Sequence, residues 1–282
     1  MSILIKLKHF VSIIFYYFGI INLLNRCIKL WYGNKATLVI LCYHSITKDE
    51  VSLFEWQLDY ISKRGFKVIS GSKLSALLKT PRDFDGKDRF VCLTFDDCYL
   101  NNYTIVREIL RRRNLDAIFF ASTRNMGKET NLSQNTSGKE IMSSSHIKIM
   151  AEDFEIGAHT QHHVRLAGVA ESVAEMEILG SKKDLMDMLG KDVLFFAYPN
   201  GSYSNNTIRI VQMGKYLAAF TIEQHTNYCY TERYKLGRYL IKPSDKSSFR
   251  LKVDGGYDWF FFLQKATRIL IKSSKSIFRS DK

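Results

Sequence analysis

The sequence predicts an α/β fold arranged as a TIM-like barrel, on three observations. Short apolar runs alternate with amphipathic stretches from Thr37 onward, the rhythm of parallel strands joined by crossover helices. About eight runs read as strands, which suits a barrel better than an open sheet, and no Gly-x-Gly-x-x-Gly marks a dinucleotide site. Polar residues also collect directly after strands: His44, the pair Asp96-Asp97, the run His159 to His163, and the turn Tyr198 to Gly201. In a parallel barrel the C-terminal strand ends are where chemistry sits.

The elements follow in order. Thr37–Tyr43 is a buried-strand run. Phe54, Leu58 and Ile61 share one face of a helix that Gly65 ends. Phe66–Ile69 reads as a short strand and Lys73–Leu78 as a short helix, with a polar turn over Pro81–Asp88. Phe90–Phe95 is a strand, and Tyr103–Arg112 a helix whose basic end suits its dipole. The strand Ala117–Ala121 precedes a polar loop over Arg124–Lys139. A helix capped by Ser143–Ser145 leads to the strand Phe154–Ala158. Glu171–Leu189 is a long amphipathic helix stopped by Gly190. Val193–Ala197, Leu217–Thr221 and Leu236–Ile241 complete the strands, with Ile208–Met213 helical between them.

The flanks differ from this central part, 35–256. In 1–34, Phe10–Leu24 carries no charge, with Lys6 and Lys8 before it and Arg26 and Lys29 after. It is shorter than the roughly 20 residues a spanning helix needs, and no Ala-x-Ala-like cleavage site follows. Three readings stand: a helix in a membrane interface, an uncleaved signal anchor, or a helix packed on the domain. In 257–282 the aromatic run Tyr257–Phe262 precedes Lys265, Arg268, Lys272, Lys275 and Arg279, either a basic amphipathic helix or a barrel-closing one. With 282 residues the chain is long enough for one large barrel. Its net charge of +13 calls for an anionic neighbour. The absence of RRM, zinc-finger or helix-turn-helix signatures argues against nucleic acid and leaves a membrane surface or an acidic polymer. The cysteines number five and include no Cys-x-x-Cys, which suits a reducing compartment and the cytoplasmic face of a membrane.

Taken alone, Asp97 could be a helix N-cap and His44 an ordinary strand-end histidine. Taken together, the strand-end residues describe a site. His159 and His163 are four apart, a spacing that on a helical turn puts both imidazoles on one face, with His162 turned away. Adding Asp97 gives a set of two histidines and one aspartate with open positions, the pattern of a catalytic divalent metal. Asp96 is then free to take a proton from water activated at the ion, and His44 to protonate a leaving amine.

These residues resemble the polysaccharide deacetylases, the NodB-homology group of carbohydrate esterase family 4. Thr94-Phe95-Asp96-Asp97 is similar to the family's T-F-D-D motif and His159-Thr160-Gln161-His162-His163 to its H-[ST]-x-x-H motif. Phe196-Ala197-Tyr198-Pro199-Asn200-Gly201 resembles its third motif. Leu41-Cys42-Tyr43-His44 resembles the entry strand of the branch that includes poly-N-acetylglucosamine deacetylases. The resemblance runs from Leu38 to Ile241. It implies a distorted (β/α)7 barrel, a Zn2+ ion on Asp97, His159 and His163, Asp96 as base, and hydrolysis of N-acetyl groups on a surface glycan or glycolipid. In that branch the strand-end histidine, here His44, is the acid. Tyr198, Pro199, Asn200 and Gly201 would line the sugar groove, and Arg238 is grouped with them. The chain departs from the pattern at Cys98, where Gly is usual, and at Ala197, where an arginine orients the base. Arg238 is the candidate to replace that arginine. Two alternatives remain: an O-acetyl esterase, and an inactive glycan-binding member.

Overall fold

A computed structural model describes residues 3–20, 23, 36–80, 88–130, 139–228, 231–242, 245–261 and 263. Its main sheet curls into a distorted barrel. The strands are β1 (Thr37–Tyr43), β2 (Arg89–Phe95), β3 (Ile118–Ala121), β4 (Glu155–Ala158), β5 (Phe195–Ala197), β6 (Ala218–Phe220) and β7 (Tyr239–Leu240). Neighbours from β1 to β6 pair in parallel. The gap is bridged by the segment 236–240: Leu236 pairs with Phe220, and Tyr239 returns to Leu41 of β1. The expected (β/α)7 arrangement is what forms.

One strand-like run has no place in this ring. The segment expected over Phe66–Ile69 contracts to Lys67–Val68 and pairs only with Phe90 and Val91 at the base of β2. It cannot enter between β1 and β2, because those two are in register along their whole length, Thr37 opposite Arg89 through Tyr43 opposite Phe95. The polar loop also holds more structure than expected: a 3-10 turn at Thr123–Asn125 and a small hairpin pairing Glu129–Thr130 with Lys139–Glu140. The helix after the Asp pair opens with a π-turn, Asn102–Val106, before Arg107–Arg112.

Strand alternation divides the apolar residues into two buried sets. Leu38, Ile40, Phe90, Cys92, Ile118, Phe120, Phe195, Ala197, Phe220 and Leu236 fill the barrel. Val39, Leu41, Tyr43, Val91, Leu93, Phe95, Phe119 and Ile156 face the helix layer. Helix Gly71–Lys79 adds Leu74 and Leu77 to the interior set. It enters beside the strand starts, since a Cβ on Gly71 would touch Glu155 and Phe195. That helix packs against the strand-start end of the barrel, where Ala36, Leu38, Leu77 and Leu236 also line a partly open cavity.

The chain ends meet each other. Helix Ile3–Tyr17 lies against helix Lys246–Val253 and the residues after it. The Trp259 indole donates to Ser12 Oγ at 3.0 Å, the Tyr16 hydroxyl donates to Asp254, and His9 Nδ1 is 2.6 Å from the Tyr257 hydroxyl. Tyr60 and Arg64 also donate to Asp254, and Tyr239 to Asp258. Helix Ile3–Tyr17 thus packs on the domain through His9, Ser12 and Tyr16, and part of the segment Phe10–Leu24 lies outside the described residues. No described helix is long and apolar enough to cross a membrane. The basic run from Lys265 onward lies outside the described residues.

Gly157 belongs to β4 on the inward side. A Cβ there would sit 2.5 Å from the Phe120 ring and 3.0 Å from the Phe195 carbonyl oxygen. Gly157→Ala is expected to lower stability by about 1–3 kcal/mol through overpacking, seen as a lower urea midpoint with the slope unchanged.

Candidate active site

The site grows out of the inward alternation. Leu38, Ile40 and Cys42 lead to His44; Phe90, Cys92 and Thr94 lead to Asp96; Gly157 leads to His159; Leu236 leads to Arg238. Each side chain is the next inward position past its strand's apolar fill. Backbone bonds carry the ladder to that point: Asp96 N–H donates to Tyr43 O and His159 N–H to Ala121 O, each at 2.9 Å.

After these positions the chain turns sharply. Asp97 and Cys98 have φ of 69° and 52°, Thr160 64° and His163 59°. Non-glycine residues in this region are uncommon and cluster at functional sites. The left-handed steps bring Asp97 and His163 back over the barrel mouth. This corrects one expectation: His159 and His163 do not converge on a helical turn, because the segment 159–163 is a bend. The N-cap reading of Asp97 also fails, since neither of its buried oxygens has a hydrogen-bond partner.

Asp97, His159 and His163 come together. One donor atom from each lies within 4.8 Å of the others, the cluster among the described residues suited to a metal. His163 Nε2 is 3.2 Å and His159 Nε2 3.6 Å from Asp97 Oδ1. Donors about 2.0–2.1 Å from a tetrahedral ion stand about 3.3 Å apart, so the two histidine-to-aspartate spacings fit. The donor set fits as well. A fully buried carboxylate with no hydrogen-bond partner is costly unless something charged is supplied. Burial pushes the His159 pKa down to about 4, which keeps the imidazole neutral as a ligand must be. Its Nδ1 is 2.7 Å from the Ala197 carbonyl oxygen, which leaves Nε2 to face the site.

Asp96 is held differently. Arg238 Nη1 donates to Oδ1 at 2.7 Å and Nη2 to Oδ2 at 2.8 Å, a bidentate clamp. Cys42 Sγ approaches Oδ2 at 3.3 Å. Burial alone would raise the Asp96 pKa, but Arg238, with His159 and His44 adding, outweighs it and holds the group well below the carboxylate range. Arg238 is itself fully buried, its Nε donating to Thr221 O and Nη1 also to Thr94 Oγ1. Its grouping with the sugar-groove residues is therefore corrected: it points into the barrel, behind Asp96. It fills the role expected of the arginine missing at Ala197. His44, half-buried, has its carbonyl held by Asn102 Nδ2 at 2.9 Å and is close enough to lower the pKa of both Asp96 and Asp97.

The turn after β5 divides. Tyr198 is fully buried and donates its hydroxyl to Tyr234 O, and Pro199 is buried beside it. Neither side chain faces a groove, because Tyr198 packs against Phe196 and Tyr203. Asn200 is the exposed member, and Gly201 is half-buried with no room for a Cβ next to Ile222. Sequence reasoning misses Glu177. From helix Glu171–Leu189 its carboxylate accepts the backbone N–H groups of Gln161 and His162, each at 2.9 Å, and contacts His162 Nδ1 at 2.7 Å. Asp184, two turns on, accepts from Gln161 Nε2 and Thr123. The available signal is a glutamate on the stripe Ala174, Ile178, Ser181 and Leu185, which faces the core.

The curled barrel has the fold of solved NodB-type deacetylases. Residues 84–218 match the family model for polysaccharide deacetylase. YxkH of Bacillus subtilis, assigned provisionally to the polysaccharide deacetylases, is 26% identical over 220 residues, covering 76% of this chain and 74% of that protein. The structure of IcaB from Ammonifex degensii superposes with a TM-score of 0.68 at 22% identity, over 78% of this chain and 97% of that one. The Streptococcus pyogenes deacetylase PplD, solved with acetate, gives 0.65 at 22%, over 78% and 98%. The de-N-acetylase from Aggregatibacter actinomycetemcomitans gives 0.66 at 19%, over 77% and 99%.

Arg238→Met would leave the Asp96 charge buried and unpaired, and is expected to cost about 3–5 kcal/mol at neutral pH. The clamp depresses the folded pKa of Asp96, so its contribution is present above the unfolded value of about 4 and fades as pH falls below it. The gap between variant and parent in urea unfolding should therefore narrow from pH 7 toward acid.

Proposed function

We propose that the chain is a divalent-metal-dependent hydrolase that removes N-acetyl groups from an N-acetylated glycan or glycolipid. The observation that carries this is the fully buried Asp97 carboxylate without a hydrogen-bond partner, facing His159 and His163 Nε2 at tetrahedral ligand spacing. Asp97, His159 and His163 would hold the ion, with Zn2+ the best match for two imidazoles and a carboxylate. A bound ion would supply Lewis acidity toward an acyl oxygen and lower the pKa of water. Asp96, kept ionised by Arg238, accepts the proton of the attacking water. His44, across the mouth, donates a proton to the leaving amine nitrogen. The Glu177 bonds to the backbone at Gln161 and His162 fix the loop that presents both histidines. The glycan substrate is supported by the family and by the similarity to a de-N-acetylase fold. Arg238 supports catalysis over an inactive glycan-binding role, because it restores the base's cationic partner.

Acetate release from matched N-acetylated and O-acetylated oligosaccharides tests the reading. Release from the N-acetylated set alone is expected; release from the O-acetylated set alone would make the protein an esterase, and none from either a binding member. Purified protein should carry about one zinc per chain, the capacity of a single site, and Asp97→Ala should lose it by elemental analysis. Glu177→Gln, which touches no ligand directly, should keep the fold but weaken zinc binding about 10- to 100-fold in a chelator competition.

A further inference from the structure

His44 stands where regular structure ends. Strand β1 stops at Tyr43, and residues 44–47 have no regular structure before the 3-10 turn Lys48–Glu50. Tyr43 is fixed: its ring stacks on Phe95 at 5.2 Å and its hydroxyl donates to Gln57 Oε1 at 3.0 Å. Ile46, two residues beyond His44, is fully buried. Between these anchors the direction of the imidazole follows from the backbone at His44, so whatever holds that backbone aims the side chain. Among the described residues the holder is Asn102, whose Nδ2 donates to the His44 carbonyl oxygen at 2.9 Å. Asn101 makes the companion bond, Nδ2 to Ser45 Oγ at 2.8 Å.

Both asparagines belong to the chain segment that leaves Asp96 and Asp97. Asn102 is fully buried, and its Oδ1 has no hydrogen-bond partner. A buried amide with one end unpaired is a cost to folding, so the site keeps this side chain at some expense. Asn102 also opens the π-turn Asn102–Val106, where the Arg107 N–H reaches back to the Asn102 carbonyl oxygen. Turns of this kind are rare and recur at functional sites. We propose that Asn102 is a positioning residue for the reaction: it ties the proton donor His44 to the loop bearing Asp96 and Asp97, and so aims the imidazole at the leaving nitrogen.

This inference rests on the deacetylase reading above, in which His44 supplies the proton. Cleavage of the amide sends the C–N electron pair to nitrogen, and nitrogen takes its proton from His44 as the bond breaks. A 4-nitrophenolate leaves as an anion and takes no proton, so cleavage of 4-nitrophenyl acetate does not call on His44. A fault in aiming the imidazole is therefore separable from a fault in the fold, the metal site or Asp96.

The test compares acetate release from the N-acetylated oligosaccharides with hydrolysis of 4-nitrophenyl acetate, in the zinc-loaded full chain. Asn102→Ala should lower kcat for acetate release about 10- to 100-fold with KM little changed. Its ester hydrolysis and zinc content should stay near those of the parent. Asn101→Ala alters a half-buried position and keeps the test open if Asn102→Ala fails to fold; it should show the same selective loss at about threefold. Because the asparagines act through the imidazole, either change combined with His44→Ala should be no slower than His44→Ala alone. Equal loss on both substrates, a lowered zinc content, or a double variant in which the two losses multiply would overturn this inference alone. A parent that releases no acetate would overturn the deacetylase reading and this inference with it.

Discussion

The ion pair between Arg238 and Asp96 is the constraint on which the site depends. A guanidinium in a barrel of Phe120, Phe195 and Phe220 is tolerable only when its donors are satisfied and its charge opposed. Thr221 O, Thr94 Oγ1 and the two Asp96 oxygens do this. The pair also couples distant strands, since Arg238 sits between the segment that bridges β6 and the one that returns to β1. Closure of the barrel and orientation of Asp96 are thus the same set of bonds.

Two adjacent carboxylates have different surroundings because the backbone reverses hand between them. Asp96 ends the ladder and faces inward to a cation. Asp97, at φ 69°, is swung over the mouth to two imidazoles. Cys98 continues the left-handed step at φ 52°, where a glycine would be unstrained. Its side chain is buried with Val106 and Met142 in the outer core, so packing offsets part of that strain. The helix Glu171–Leu189 does for the histidine loop what the ladder does for Asp96: Glu177 and Asp184 fix a segment that has no regular structure of its own.

Much of this is legible in the residues. The strand runs are nearly uniform in apolar character, and the polar residues follow them directly, so strand ends and ligands can be read together. What fails does so for local reasons. The run at Phe66–Ile69 has strand composition but no free edge to join. The i, i+4 histidines suggest a helical turn, and sequence spacing alone cannot distinguish that from two left-handed bends. Tyr198 resembles a groove residue because it opens a turn, yet its hydroxyl has a carbonyl partner inside. Glu177 is hidden by its surroundings: in a helix with many charges, one carboxylate facing inward is not distinguishable without knowing which stripe is buried.

The inward alternation bears on how such proteins diverge. Asp96 receives a guanidinium arriving from within the ring, and inward positions near the mouth are where such a group can originate. Ala197 and Arg238 occupy two such positions on strands either side of β6. The arginine that the resemblance would place at Ala197 is absent, and a guanidinium reaches Asp96 from Arg238 instead. In this chain the charge opposite Asp96 thus arrives from the strand beyond β6 rather than from β5, at the same place inside the ring.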